Sequence, residues 1–177
     1  EPLAPRFLSN RNLEALYNVE CILRSFQLIQ RERTDATLTV VGDGAQRSRL
    51  ESLCKELGLR DVKFVGRVPS ERMPDFYAQC DIYLNSPNID NMPTSIIEAF
   101  ASGLPVVTTE AGGIPYIVEH GRTGLMVKMN DYEALARAAL SLLRDPQQAR
   151  SIAQAARAEC EQRYVWPRVR ADWERCY

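Results

Sequence analysis

The stretch from Asp90 to Val107 holds the residues whose types and spacing best suit chemistry. Pro93 favours the first turn of a helix, Thr94 or Ser95 is suited to cap it, and the unpaired amides of such a turn form an anion site. A diphosphate has the right charge and size. Asp90 lies in the loop before the helix and Glu98 one turn inside it, so two carboxylates flank whatever anion binds there. Ionised carboxylates accept strongly from paired hydroxyls, such as those on either side of the diphosphate in a nucleotide sugar. The same spacing also describes a capped core helix with solvated acids, and this stretch alone does not choose between the two.

Further candidates must come from the same edge of the fold to count. Ala111-Gly112-Gly113-Ile114-Pro115 follows a β-rich run and puts bare backbone where a ligand would approach; Arg11, after the first β-rich run, is placed to pair a phosphate. Gly42-Asp43-Gly44 also follows a strand pattern, and such glycines let amides approach a phosphate. It does not complete the dinucleotide fingerprint: Arg47 stands where the third glycine would be, and the turn follows the second strand rather than the first.

The elements that must position these residues alternate. Strands are expected at 6–9, 37–41, 62–65, 82–84 and 105–108, with a last short one at 125–127. Helices are expected at 17–33, around 50–57 and closing at Gly58, from Pro69 to about 79, and from 93–95 to Gly103. From about residue 131 the chain reads as helical, with a break at Asp145-Pro146 and a final amphipathic piece carrying Trp166 and Trp173. Strand and helix alternating at this spacing predict an α/β fold, a doubly wound, Rossmann-like parallel sheet with helices on both faces and a ligand crevice beyond the carboxyl ends of its strands.

Composition narrows the field. With 177 residues, 45% hydrophobic and 25% charged, the chain is sized for one domain with its own core. Its 22 basic and 23 acidic residues, net charge −1, give no bulk attraction for nucleic acid or membrane, leaving only local charged sites. The five cysteines, Cys21, Cys54, Cys80, Cys160 and Cys176, are odd in number and lack C-x-x-C spacing, which fits reduced thiols of a cytoplasmic protein. The single histidine, His120, has no second histidine with which to share a metal and reads as a residue at a helix end. No run approaches the length of a membrane span. The opening Glu1-Pro2-Leu3-Ala4-Pro5 reads as a linker leading into a domain of a longer protein.

In order along the chain, Arg11, Val41-Gly42-Asp43-Gly44, Phe64 to Val68, Cys80 to Leu84, Asp90 to Val107, Gly112-Gly113-Ile114-Pro115 and Gly121 to Leu125 resemble the donor-binding half of glycosyltransferase family 4, also called group 1. The resemblance covers nearly the whole chain. It implies one half of a GT-B enzyme, with 1–177 as the donor domain and an N-terminal acceptor domain absent from this chain. It also implies transfer of a hexosyl group from a nucleotide diphosphate sugar to a glycan or lipid-linked acceptor, with retention of configuration and no required metal or other cofactor. The full-length protein is then expected in the cytoplasm, including at the inner face of the membrane.

The resemblance gives the catalytic positions as Asp90, at the donor sugar, and Glu98, at the ribose. Asn91, Met92, Thr94 and Ser95 match the loop and helix start that hold sugar and diphosphate, and Val68 would lie against the base. Three departures stand out. Asp90 replaces a glutamate, Tyr17 stands near the usual position of a phosphate-binding lysine, and Tyr116 follows the Gly-Gly-x-Pro run where relatives carry glutamate. These departures keep a second reading open, a nucleotide-binding module of the same fold without turnover.

Overall fold

A computed structural model describes residues 3–176; Glu1 and Pro2, read as part of a linker, lie outside the described residues, as do the side chains of Ala171, Asp172 and Cys176 and all of Tyr177. Six strands, β1 (Arg6–Asn10), β2 (Thr37–Val41), β3 (Val62–Gly66), β4 (Ile82–Asn85), β5 (Val106–Thr109) and β6 (Leu125–Val127), form one sheet in the order 3-2-1-4-5-6. Every pairing is parallel. Helices α1 (Val19–Glu32), α2 (Arg47–Glu56), α3 (Met73–Ala78) and α4 (Thr94–Ala101) connect the strands, and α5 (Tyr132–Arg144), α6 (Pro146–Arg163) and α7 (Trp166–Cys176) follow β6.

Side-chain alternation along the strands divides the core into two layers. Phe7, Ile82, Leu84 and Val107 face one side, where they pack with residues of α1, α2 and α5. Leu8, Tyr83 and Val106 face the other, with α4, α6 and Tyr77 of α3. Both faces are covered, as the near-continuous apolar strands require. The strand order reverses between β1 and β4, so the crevice beyond their carboxyl ends is the expected ligand position.

The expected elements are present, with differences at their ends. Tyr17 closes a separate 3-10 turn (Ala15–Tyr17), and α1 begins only after Asn18, whose left-handed backbone at φ 47° interrupts the helix. A 3-10 turn at Ser70–Arg72 likewise precedes α3. Asp145 caps α6 by accepting from the amides of Gln147 and Gln148, which fixes the break before Pro146.

Two expectations are corrected. Neither Thr94 nor Ser95 caps α4: the cap position is Pro93, no side chain fills the capping role, and both residues lie inside the helix. His120 is not at a helix end, because the preceding segment makes only a 3-10 turn containing Pro115. It stands instead in the turn before β6, bridged to Gly124, with Nδ1 accepting from the Met126 amide at 2.9 Å.

Candidate active site at the sheet switch point

The loop leaving β1 and the loop leaving β4 meet beyond the sheet edge. Arg11 Nη2 is 2.5 Å from Asp90 Oδ2, Arg11 Nη1 donates to Ser95 Oγ at 2.9 Å, and the guanidinium lies 4.2 Å from the Tyr17 ring centroid. Arg11, Tyr17, Asp90 and Ser95 are therefore one cluster. Tyr17, near the position where the resemblance implies a lysine, supplies a π face to the cation.

Several contacts hold the 86–93 loop against its neighbours. The Asn88 amide donates to the Leu16 carbonyl at 2.8 Å and Ser86 Oγ to that of Asn18 at 2.8 Å, while Thr109 Oγ1 reaches the Pro87 carbonyl at 2.7 Å. The Gly113 amide donates to the Asp90 carbonyl at 2.8 Å.

The glycines make these approaches possible. A Cβ on Gly42 would stand 2.3 Å from the Arg11 carbonyl oxygen, and one on Gly44 2.6 Å from that of Leu13. A Cβ on Gly112 would be 2.2 Å from the Asp90 carbonyl oxygen, and one on Gly113 1.9 Å from that of Asn91. One glycine pair thus backs the Arg11 loop and the other backs the Asp90 loop. The amides of Gly42 and Gly44 are already committed, to the Gly66 carbonyl and to Asp43 Oδ1. Both glycines pack against the backbone of the Arg11 loop.

The α4 N-terminus opens onto the same crevice. With no side-chain cap, Thr94 and Ser95 present first-turn amides, and Pro93 has none to offer. Asn91, Met92 and Thr94 are exposed there, whereas Ser95 is buried. Glu98 is exposed one turn on, and it lines a hollow of about 260 Å³ with Ser70, Met73, Pro74, Tyr77 and Ala101. Val68 is half-buried just before this hollow in the chain, against the α4-side core layer.

A further polar group was not foreseen from the sequence. Tyr77, only 2% exposed, donates from its hydroxyl to Glu98 Oε2 at 2.8 Å and receives Asn10 Nδ2 at 2.8 Å. Its apolar surroundings gave no sequence signal, since a tyrosine on the buried stripe of a short helix is ordinary core. Ser9 Oγ, Asn10 Oδ1 and Asn85 Oδ1 are buried without a hydrogen-bond partner among the described residues, and all three lie at the carboxyl ends of β1 and β4. The Tyr83 hydroxyl, in the middle of β4, is likewise without a partner, and buried groups of this kind ordinarily pair with protein or ordered water.

The family model for glycosyl transferases group 1 matches residues 4–159. The chain belongs to this family. It is 28% identical over 167 residues to the N-acetyl-alpha-D-glucosaminyl L-malate synthase of Bacillus anthracis, covering 94% of this chain and 43% of that protein. Anabaena HepE, solved in complex with UDP-glucose, superposes with a TM-score of 0.90 at 24% identity, over 97% of this chain and 48% of the other. The C-terminal domain of a glycosyl transferase group 1 family protein from Francisella tularensis superposes with a TM-score of 0.83 at 21% identity, over 91% and 87%. The group 1 chain described here therefore spans less than half the length of the Bacillus and Anabaena proteins. Its Rossmann-like sheet is the fold of a GT-B C-terminal domain.

Proposed function

We propose that this chain is the donor-binding half of a retaining glycosyltransferase that takes a sugar from a nucleotide diphosphate sugar. The observation that carries the reading is the convergence of Arg11 and the uncapped α4 N-terminus at the sheet switch point. In this reading, Arg11 and the Thr94 and Ser95 amides hold the diphosphate, in the place where other enzymes use a metal. Glu98, at the edge of its hollow, accepts from the ribose hydroxyls, and Val68 lies against the base. Asp90 orients both Arg11 and the donor sugar, beside Asn91 and Met92.

The chemistry asked of this half is electrostatic. The departing nucleoside diphosphate gains charge as the glycosidic bond breaks, and preorganised amides with one guanidinium stabilise that charge without reorganising. The acceptor, a glycan or lipid-linked glycan, would be held by an N-terminal domain. The free thiols at Cys21, Cys54, Cys80 and Cys160 support a reducing, cytoplasmic setting. No helix among the described residues is long and apolar enough to cross a membrane.

Calorimetric titration of UDP, GDP and ADP into this chain tests the reading. Glu98→Ala removes a charge-assisted hydrogen bond and is expected to weaken nucleotide binding about 10- to 150-fold; unchanged affinity would sink the ribose role. Donor turnover by the full-length protein separates the enzyme from a non-catalytic module. Tight binding with no turnover over a range of donors and acceptors would support the module.

A further inference from the structure

We infer that Tyr77 is a positioning residue for Glu98, fixing its carboxylate in the orientation that receives the ribose hydroxyls; the inference rests on the ribose role proposed above. An exposed glutamate samples many rotamers, and holding one of them on binding costs entropy. Here the choice is made beforehand by a hydroxyl that is itself held still.

The direction of the relay follows from the donor inventory. A carboxylate only accepts, so the single Tyr77 proton is donated toward Glu98 Oε2 at 2.8 Å, with the Ser95 carbonyl oxygen a more distant 3.2 Å away. The hydroxyl oxygen is then free to accept, and Asn10 Nδ2 donates to it at 2.8 Å. Burial, reinforced by Tyr83 and by the Glu98 charge, holds the Tyr77 hydroxyl far above the usual phenol range, so it remains a donor throughout the working pH range. Its ring is fixed as well, 6.2 Å from that of Tyr83. Only one Glu98 oxygen faces Tyr77, which leaves Oε1 for a ligand.

The relay also joins the two ends of the site. Consecutive residues at the end of β1 serve them separately: Asn10 reaches Glu98 through Tyr77, and Arg11 reaches Asp90 and Ser95 directly. Ser95 belongs to both arms, accepting from Arg11 with its hydroxyl and lying next to the Tyr77 hydroxyl with its carbonyl. A shift of β1 would move both carboxylates together.

The test compares whichever of UDP, GDP and ADP binds this chain most tightly with its 2′-deoxy counterpart. Tyr77→Phe is expected to weaken the ribonucleotide about 5-fold or more while changing the deoxynucleotide less than about 2-fold. In a Glu98→Ala background, where the hydroxyl has no side-chain acceptor left at position 98, the same substitution should add no further loss. Asn10→Ala, which leaves the Tyr77 ring in place, should give a smaller loss with the same preference for the ribonucleotide. Equal losses for both ligands, or none, in Tyr77→Phe and Asn10→Ala alike would overturn the positioning role. If the unsubstituted chain does not distinguish the two ligands, or Glu98→Ala does not narrow the difference, the ribose role falls and this inference with it.

Discussion

Arg11 Nη2 stands 2.5 Å from Asp90 Oδ2, a contact between residues 79 apart in sequence whose side chains are only 11% and 9% exposed. It ties the cation expected to meet phosphate to the acid expected to meet the donor sugar. The ion pair therefore shapes both the stability of the fold and the availability of Arg11 to a ligand.

Its energetic weight can be measured by a double-mutant cycle. Asp90→Asn, Arg11→Met and the double variant, compared by urea denaturation, should give a coupling of about 1–3 kcal/mol, because nearly buried charges are poorly screened. Arg33 and Asp35 form a more open, solvent-screened pair, at 34% and 61% exposure, and the same cycle there should give a clearly smaller coupling. Equal couplings at the two places would show that burial of the Arg11 pair is energetically unimportant.

Asp90 also competes with a bound phosphate for Arg11. Asp90→Asn is therefore expected to bind free nucleoside diphosphate about 3- to 10-fold more tightly, since the competing carboxylate charge is gone. The same variant should lose the advantage of nucleotide sugar over free nucleotide, the signature of the proposed sugar contact. Calorimetry with both ligands reads the two effects separately, and weaker binding of the free diphosphate would rule out the competition.

The glycines predict a contrast of place. Gly113→Ala puts a Cβ 1.9 Å from the Asn91 carbonyl oxygen, which is backbone and has little room to yield. It should cost more than about 2 kcal/mol and weaken nucleotide binding by displacing the 90–93 loop. Gly58→Ala meets nothing within 4 Å, and its φ of +65° costs only about 1 kcal/mol of backbone strain. Binding should be unaffected there. Thermal melts and titrations of the two variants would contradict the packing role of Gly113 if they behaved alike.

Alkaline stability follows from the thiols. Burial first pushes Cys21 and Cys54 up from 9.0 to about 11 in the folded chain, whereas in the unfolded chain they ionise near their ordinary value. Unfolding thus releases their protons as pH rises. The stability they contribute is complete below about pH 9 and is lost between about 9 and 11, by up to about 2–3 kcal/mol each. Tyr83, pushed up to about 12 chiefly by burial, extends the loss to higher pH. Tm measured from pH 7 to 11 should fall over this window, and a Cys21→Ala/Cys54→Ala variant should flatten its lower part. A level wild-type profile would contradict the folded-state values.

The fold was largely legible because its signals are local. Apolar runs at 37–41 and 105–108, Gly58 after α2 and Asp145-Pro146 before α6 each act within one turn of chain, and the elements lie within a residue or two of where they indicate. Arg11, Asp90 and Ser95 were legible as members of one edge of the sheet. Their pairing was not, because it depends on loops meeting across 79 and 84 residues. The sequence places Gly42, Gly44, Gly112 and Gly113 where a ligand would approach, yet what approaches each of these four in the structure is the backbone of a neighbouring loop. Tyr77 was missed because its hydroxyl is polar only in company: Asn10, Tyr77 and Glu98 come from a strand end and two helices. His120 reads as a helix-end residue, but the nearest helical turn before it is the 3-10 turn at Ile114–Tyr116, and it stands in the turn before β6.

The most direct test of the central claim is an amide-resolved NMR titration of this chain with UDP, GDP and ADP. The nucleotide crevice proposed here predicts saturable shifts centred on Arg11, Thr94, Ser95 and Glu98, with Gly113 following as the 90–93 loop adjusts. Saturable shifts centred elsewhere, or no response to any of the three nucleotides at millimolar concentration, would contradict it.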